Sequence, residues 1–150
     1  EKRAELTTEG GLDVAGQVIS LKEYVHKLQA SNIKVSLFID PDDKQIAAAI
    51  ECGADAIELH TGAYAEAGLA NDTDVQLAEL KRLEQAVATA QSLDDKLLIN
   101  AGHGLTCDNV NAIAKIDGIY ELNIGHALIA DAVFVGLESA VTMMKEAMHE

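Results

Sequence analysis

Val35-Ser36-Leu37-Phe38-Ile39-Asp40-Pro41, then Ile46-Ala47-Ala48-Ala49-Ile50-Glu51-Cys52-Gly53, then Ala56-Ile57-Glu58-Leu59-His60-Thr61-Gly62 are a strand-type apolar run, a helical stripe and a second apolar run in immediate succession. Asp40-Pro41 is a helix start signal and Gly53 a stop. The same alternation continues outward. Leu97–Ile99 and Glu121–Ile124 read as two further strands. Helical stripes lie between and around them: Leu21, Val25 and Leu28 after Gly16; Leu77, Leu80, Leu83 and Val87 behind Asp74; a short one with Val110 and Ile113 after Asp108; and Val133, Leu137, Val141, Met144 and Met148 in a single last helix.

Strands alternating with helices predict an α/β protein with a mostly parallel, helix-covered sheet. The strand starts, near residues 35, 56, 97 and 121, are 21, 41 and 24 residues apart. That is close to the roughly 30 residues per unit of a (β/α)8 TIM barrel. Four units make half of one, with two raw sheet edges that need either a partner or further strands. The rival, an open doubly wound sheet, has no Gly-x-Gly-x-x-Gly turn to support it. With no linker or repeat, residues 1–150 are expected to form one domain, an incomplete barrel whose upstream strands are absent; the missing initiator Met at Glu1 fits a fragment or a processed chain.

Composition narrows the function. Hydrophobic residues make up 49% of the 150 but aromatics only 3%, so the core is aliphatic. No apolar run reaches the roughly 18 residues of a membrane span, and no apolar stretch behind Glu1-Lys2-Arg3 forms a signal peptide. A formal net charge of −14 repels nucleic acid and anionic membranes, so a phosphorylated ligand has to be held by local donors. Cys52 and Cys107 match no metal or redox spacing. A cytoplasmic protein with reduced thiols is expected.

The strand ends carry the chemistry. They read Phe38-Ile39-Asp40, Glu58-Leu59-His60-Thr61-Gly62, Asn100-Ala101-Gly102-His103-Gly104 and Asn123-Ile124-Gly125-His126, and in a parallel barrel such ends converge on one face. Glu58 and His60 share a side of their strand, opposite Ile57 and Leu59. An inward carboxylate is either paired, with a buried cation or His60, or used catalytically. His103, between two glycines, is either a general acid or base or a cap on its turn. Gly125 and His126 lead into the last helix, where free N–H groups suit a phosphate, or where Gly simply allows a tight turn. Residues 5–13 form a polar, Gly-bearing loop that could close over the same face, with Thr7 or Thr8 donating to a ligand. Glu58, His60, His103 and His126 together also make a zinc-like set, although no His-x-His or His-x-x-x-His pair supports it. His26 and His149 read as surface residues.

The same segments carry a family resemblance. Leu6-Thr7-Thr8-Glu9-Gly10-Gly11-Leu12-Asp13-Val14, with Glu1-Lys2-Arg3 before it, resembles the loop after the fourth strand of pyridoxine 5′-phosphate synthases. Val35–Asp40, Ile57–Ala65, Asn100–Leu105 and Glu121–Ala127 resemble their fifth to eighth strands, in order and over essentially the whole chain. The resemblance implies the carboxyl-terminal half of a TIM barrel. It implies condensation of 3-amino-2-oxopropyl phosphate with 1-deoxy-D-xylulose 5-phosphate to pyridoxine 5′-phosphate, phosphate and water, without metal or organic cofactor. Carried over by position, Glu58 is the carboxylate that stabilises transition-state charge and His103 the proton donor. Thr7 and Gly104 contact the amino-ketone phosphate, and Gly125 with His126 forms its phosphate site. The family's further general-base His, second catalytic Glu and the Arg and His ligands of the sugar phosphate belong to upstream strands, so these 150 residues are expected to be inactive alone and the intact protein to be a homo-oligomer. The rival functions are another phosphate-binding barrel lyase or isomerase, and a non-catalytic half-barrel that pairs with a partner.

Overall fold

The computed structural model describes residues 10–149. In chain order the elements are α1 (Val18–Gln29), β1 (Ser36–Ile39), α2 (Asp43–Glu51), β2 (Ala56–His60), α3 (Gly62–Leu69), α4 (Thr73–Leu93), β3 (Leu98–Gly102), α5 (Val110–Ala114), β4 (Glu121–Asn123), α6 (His126–Val135) and α7 (Leu137–Ala147). The four strands form one parallel sheet in the order β1-β2-β3-β4. Among the described residues the order never reverses, so they hold no switch point of a doubly wound sheet, which is consistent with part of a barrel.

Period-two alternation divides the sheet into two faces. Leu37, Ile39, Ile57, Leu59, Ile99 and Ala101 are buried toward the helices, among Val25, Ile46, Leu83 and Val87. Each such Ile or Leu contributes about 1.5–3 kcal/mol of transfer free energy, an upper figure because real unfolded chains already bury some of it. The opposite face carries Phe38, Glu58, His60, Asn100 and Gly102, and this is the face that matters for function.

Local chemistry fixes the helix ends. Asp42, one residue past the Asp40-Pro41 signal, caps α2 by accepting from the Lys44 and Gln45 amides at 2.9 and 3.3 Å. The helix closes in a Schellman turn, with Gly53 N–H on the Ile50 carbonyl and Ala54 N–H on that of Ala49. Asp72 caps α4 through the Val75 amide at 3.1 Å, two residues before Asp74.

Three elements differ from the sequence expectation. β3 runs on through Asn100, Ala101 and Gly102, since these pair in register with Glu58, Leu59 and His60. α3 is an additional helix directly after β2. The expected single last helix is two, broken at Gly136, whose φ of 85° and ψ of 151° no right-handed helix accommodates. The expected stripe therefore holds only in its second half: Val133, Leu137 and Val141 are exposed, whereas Met144 is buried and Met148 packs against the core, with Ala140 and Ala147 buried beside them. No helix among the described residues is long and apolar enough to cross a membrane.

Candidate active site

The carboxyl ends of β2, β3 and β4 open into a cleft of about 590 Å³ whose walls include Glu58, His103, Gly104, Asn123, Gly125 and His126. Every expected site residue within the described range thus lines one cavity. Thr7 lies outside the described residues. Of the expected mobile loop, only residues 10–13 are described, and there Leu12 N–H donates to the Phe38 carbonyl at 2.8 Å, which ties its end to β1.

Glu58 points away from the helix-covered face because Ile57 and Leu59 on either side fill the core. Its Oε2 accepts from Asn123 Nδ2 at 2.7 Å. Between them lies Gly102, where an added Cβ would fall on Glu58 Oε1 and come within 2.8 Å of the Asn123 carbonyl. The absent side chain is what gives the carboxylate its space.

His103 follows in a left-handed conformation, φ 85°, and Gly104 shares it at φ 73°. For histidine this costs on the order of 1–2 kcal/mol, so the surroundings have to hold it. Thr61, only 1% exposed, does so: its amide donates to the Gly102 carbonyl at 2.9 Å, and its hydroxyl proton is directed between the carbonyls of Gly102 and His103 at 2.7 and 2.5 Å. Asn109 braces the far side, donating to the Gly104 carbonyl at 3.1 Å and accepting from the Thr106 amide at 2.9 Å. The result is an imidazole presented at the cleft wall on a rigid turn.

His60 completes this end of β2. Its Nδ1 lies 3.2 Å from Asp40 Oδ1, and its ring packs against those of Phe38 and His103. Burial, and next the nearby His103, push its pKa below the ordinary histidine value, with Asp40 opposing.

On the other wall, Gly125 is the N-cap of α6 and no side chain caps that helix. An added Cβ at Gly125 would meet nothing within 4 Å, so the backbone faces open space. His126, exposed, is the first helical residue. Unsatisfied N–H groups at such a terminus, with the helix dipole behind them, favour an anion in a protein whose overall charge does not. Among the described residues no group of three or more His, Cys, Asp and Glu side chains is arranged to hold a metal ion, so the zinc-like set of Glu58, His60, His103 and His126 does not converge.

The sequence places Asp40, Thr61 and Asn123 at strand ends but assigns none of them, nor Asn109, a role at the site. Each is a short polar residue at a strand end or turn, where composition gives no sign of which neighbour it will bond.

The family model described as pyridoxal phosphate biosynthesis protein PdxJ matches residues 1–150. The chain is 55% identical over 148 residues to a pyridoxine 5′-phosphate synthase of Synechococcus, an alignment covering 99% of this chain and 60% of the relative. Against the same-named protein of Prochlorococcus marinus it is 57% identical over 145 residues, covering 97% and 57%. Against that of Aliivibrio fischeri it is 54% identical over 148 residues, covering 99% and 59%. The chain spans about three fifths of the length of these curated relatives.

Proposed function

The chain belongs to the PdxJ family of pyridoxal phosphate biosynthesis proteins, and we propose that it is the carboxyl-terminal half of a (β/α)8 barrel that makes pyridoxine 5′-phosphate. The substrates of the complete enzyme are 3-amino-2-oxopropyl phosphate and 1-deoxy-D-xylulose 5-phosphate. The observation that carries this reading is the cleft: a carboxylate, an imidazole and a helix terminus open to anions face one cavity of about 590 Å³. The unreversed parallel sheet supports the barrel. So does α6, which has no buried residue and leaves Val133 and Phe134 exposed, as expected of a surface that the rest of the barrel covers.

In this proposal the amides at Gly125 and His126 hold the phosphate of the amino ketone, with Gly104 and Thr7 as further contacts. Its amine attacks the ketone of the second substrate, forming an imine and expelling water. The departing hydroxyl needs a proton, which His103 supplies, and the positive charge that develops on the iminium is offset by Glu58. The two groups are well matched to these tasks, since a carboxylate braced by an amide donor stays in place and an imidazole exchanges protons near neutrality. Later proton transfers in ring closure use the same pair together with groups from the remainder of the enzyme. The reaction calls on no metal or organic cofactor, and the complete protein works as a cytoplasmic homo-oligomer.

The test is direct. The complete protein, given both substrates and a chelator, should release pyridoxine 5′-phosphate and inorganic phosphate in equal amounts. No pyridoxine 5′-phosphate from that mixture would reject the reading.

A further inference from the structure

His60 and Asp40 adjoin the cleft but have no part in the steps above. The His60 side chain is 18% exposed, and its Nδ1 lies 3.2 Å from Asp40 Oδ1. A carboxylate only accepts, so Nδ1 carries the proton of the neutral ring and Nε2 is bare. That Nε2 is buried and finds no hydrogen-bond partner among the described residues. A cationic ring would place an N–H there without an acceptor, which disfavours the charged form on geometry alone.

The ring is also held mechanically. Phe38 meets it edge-on, centroids 5.1 Å apart at 82°, and its other neighbour is the His103 ring at 4.7 Å and 54°. Gly62 leaves room for both, since a Cβ there would come within 2.6 Å of His60 Nε2 and 3.1 Å of His103 Cδ2. Among the described residues, the charged and titratable groups around His60 are Asp40 at the end of β1, Glu58 on its own strand, Glu66 on α3 and His103 after β3. Of these, Asp40 and Glu66 pull the His60 pKa up, but burial and His103 outweigh them and push it down. Asp40 is 53% exposed, so water screens its pull.

We propose that His60 is a positioning residue for His103: an uncharged ring, pinned by Asp40 and Phe38, that fixes the orientation of the His103 imidazole and spares it a neighbouring cation. The backbone turn at Thr61 fixes where His103 starts, and the His60 ring fixes which way its side chain leans. This rests on the reading of His103 as proton donor, because a donor must keep its proton until the leaving group needs it.

In the complete enzyme, His60→Ala should lower kcat by about 10–100-fold while KM for either substrate stays within about threefold, the pattern of lost orientation. His60→Phe, which keeps a neutral ring in the stack, should recover most of that loss. His60→Lys should move the alkaline limb of the kcat profile to lower pH by about one unit or more, since a fixed cation beside His103 makes its proton easier to lose. Wild-type kcat in His60→Ala, or an unmoved limb in a natively folded His60→Lys enzyme, would overturn the proposal. An enzyme that makes no pyridoxine 5′-phosphate in any form rejects the functional reading instead. The pair is then read by nitrogen NMR, where an Nδ1–H tautomer of His60 that is lost in Asp40→Ala supports the arrangement and an Nε2–H tautomer in the unsubstituted enzyme overturns it.

Discussion

Asn123 holds Glu58 across an intervening strand. Its Nδ2 donates to Glu58 Oε2 at 2.7 Å, although β4 and β2 are not neighbours. The bond passes over Gly102 of β3, the register partner of Asn123, and only a residue without a side chain permits that path. The carboxylate is thereby tied to the strand that two residues later reaches Gly125, which couples the two walls of the cleft.

Gly102→Ala is therefore expected to be more damaging than its size suggests. Its methyl would overlap Glu58 Oε1 and press on the Asn123 backbone, which cannot swing aside. A carboxylate displaced by about 1 Å corresponds to roughly 100-fold in kcat. Asn123→Leu should lower kcat in the same direction by removing a charge-assisted hydrogen bond of about 1.5–3 kcal/mol. Steady-state kinetics of both variants of the complete enzyme checks this, and wild-type kcat in either would detach Asn123 from the placement of Glu58.

His103 separates activity from stability. Replacing it with Gly removes the proposed proton donor but also relieves a φ of 85°, worth on the order of 1–2 kcal/mol, against a similar entropic gain of the unfolded chain. His103→Gly should thus lose about 100-fold or more in kcat with a Tm close to wild type, whereas His103→Ala keeps the strained backbone and melts lower. A His103→Gly enzyme that retains wild-type turnover would remove His103 from the chemistry.

Much of this architecture is legible in the sequence, for definable reasons. Leu37–Ile39 and Ile57–Leu59 carry burial in their alternation, and the placement of Glu58 and His60 on one face follows from the same period of two. Gly125 was legible because an N-terminal helix turn needs no side-chain partner to be recognised. The break at Gly136 was not, since Val133, Leu137 and Val141 continue an unbroken i, i+4 pattern across it and one backbone rotation cancels that pattern. α3 was hidden because Thr61, which would be its natural capping residue, directs its hydroxyl to Gly102 and His103 instead. The pairing of Asn123 with Glu58, 65 residues away in sequence, depends on register and on the space above Gly102, neither of which is written in local sequence.

Gly125→Val tests the proposed phosphate site. The residue sits at φ −115° and ψ −58°, a negative φ that does not demand glycine, and nothing lies within 4 Å of the new Cβ. Stability should stay within about 0.5 kcal/mol, the usual range for a surface substitution. The added methyls would nevertheless stand where a phosphate approaches the backbone, so KM for the amino-ketone phosphate should rise by about tenfold or more. Unchanged KM with unchanged Tm would move the phosphate site away from Gly125.

At the opposite end of the strands Asp55 is expected to contribute to stability in acid. It accepts from Lys34 Nζ at 2.7 Å, from Gln29 Nε2 at 3.0 Å and from the Val35 amide at 2.9 Å, stitching α1 and the entry to β1 onto the start of β2. Lys34 first, then Gln29 and the Val35 amide, hold its carboxyl at about 2, below the ordinary 3.8. The folded value is the lower one, so the stabilisation is fully present above about pH 4, falls as the pH drops from there toward 2, and is gone below. Lys34 is 88% exposed, which makes its ion pair weak and salt-sensitive, whereas the Val35 amide is partly buried and loses its acceptor if the carboxylate is removed. Asp55→Ala should therefore lower the Tm of the complete protein at pH 7 clearly more than Lys34→Ala does, and should flatten the decline in Tm between pH 4 and pH 2. Thermal melts across that range decide it. Equal effects of the two substitutions at pH 7 would mean that the exposed ion pair, and not the backbone bond, is what Asp55 contributes.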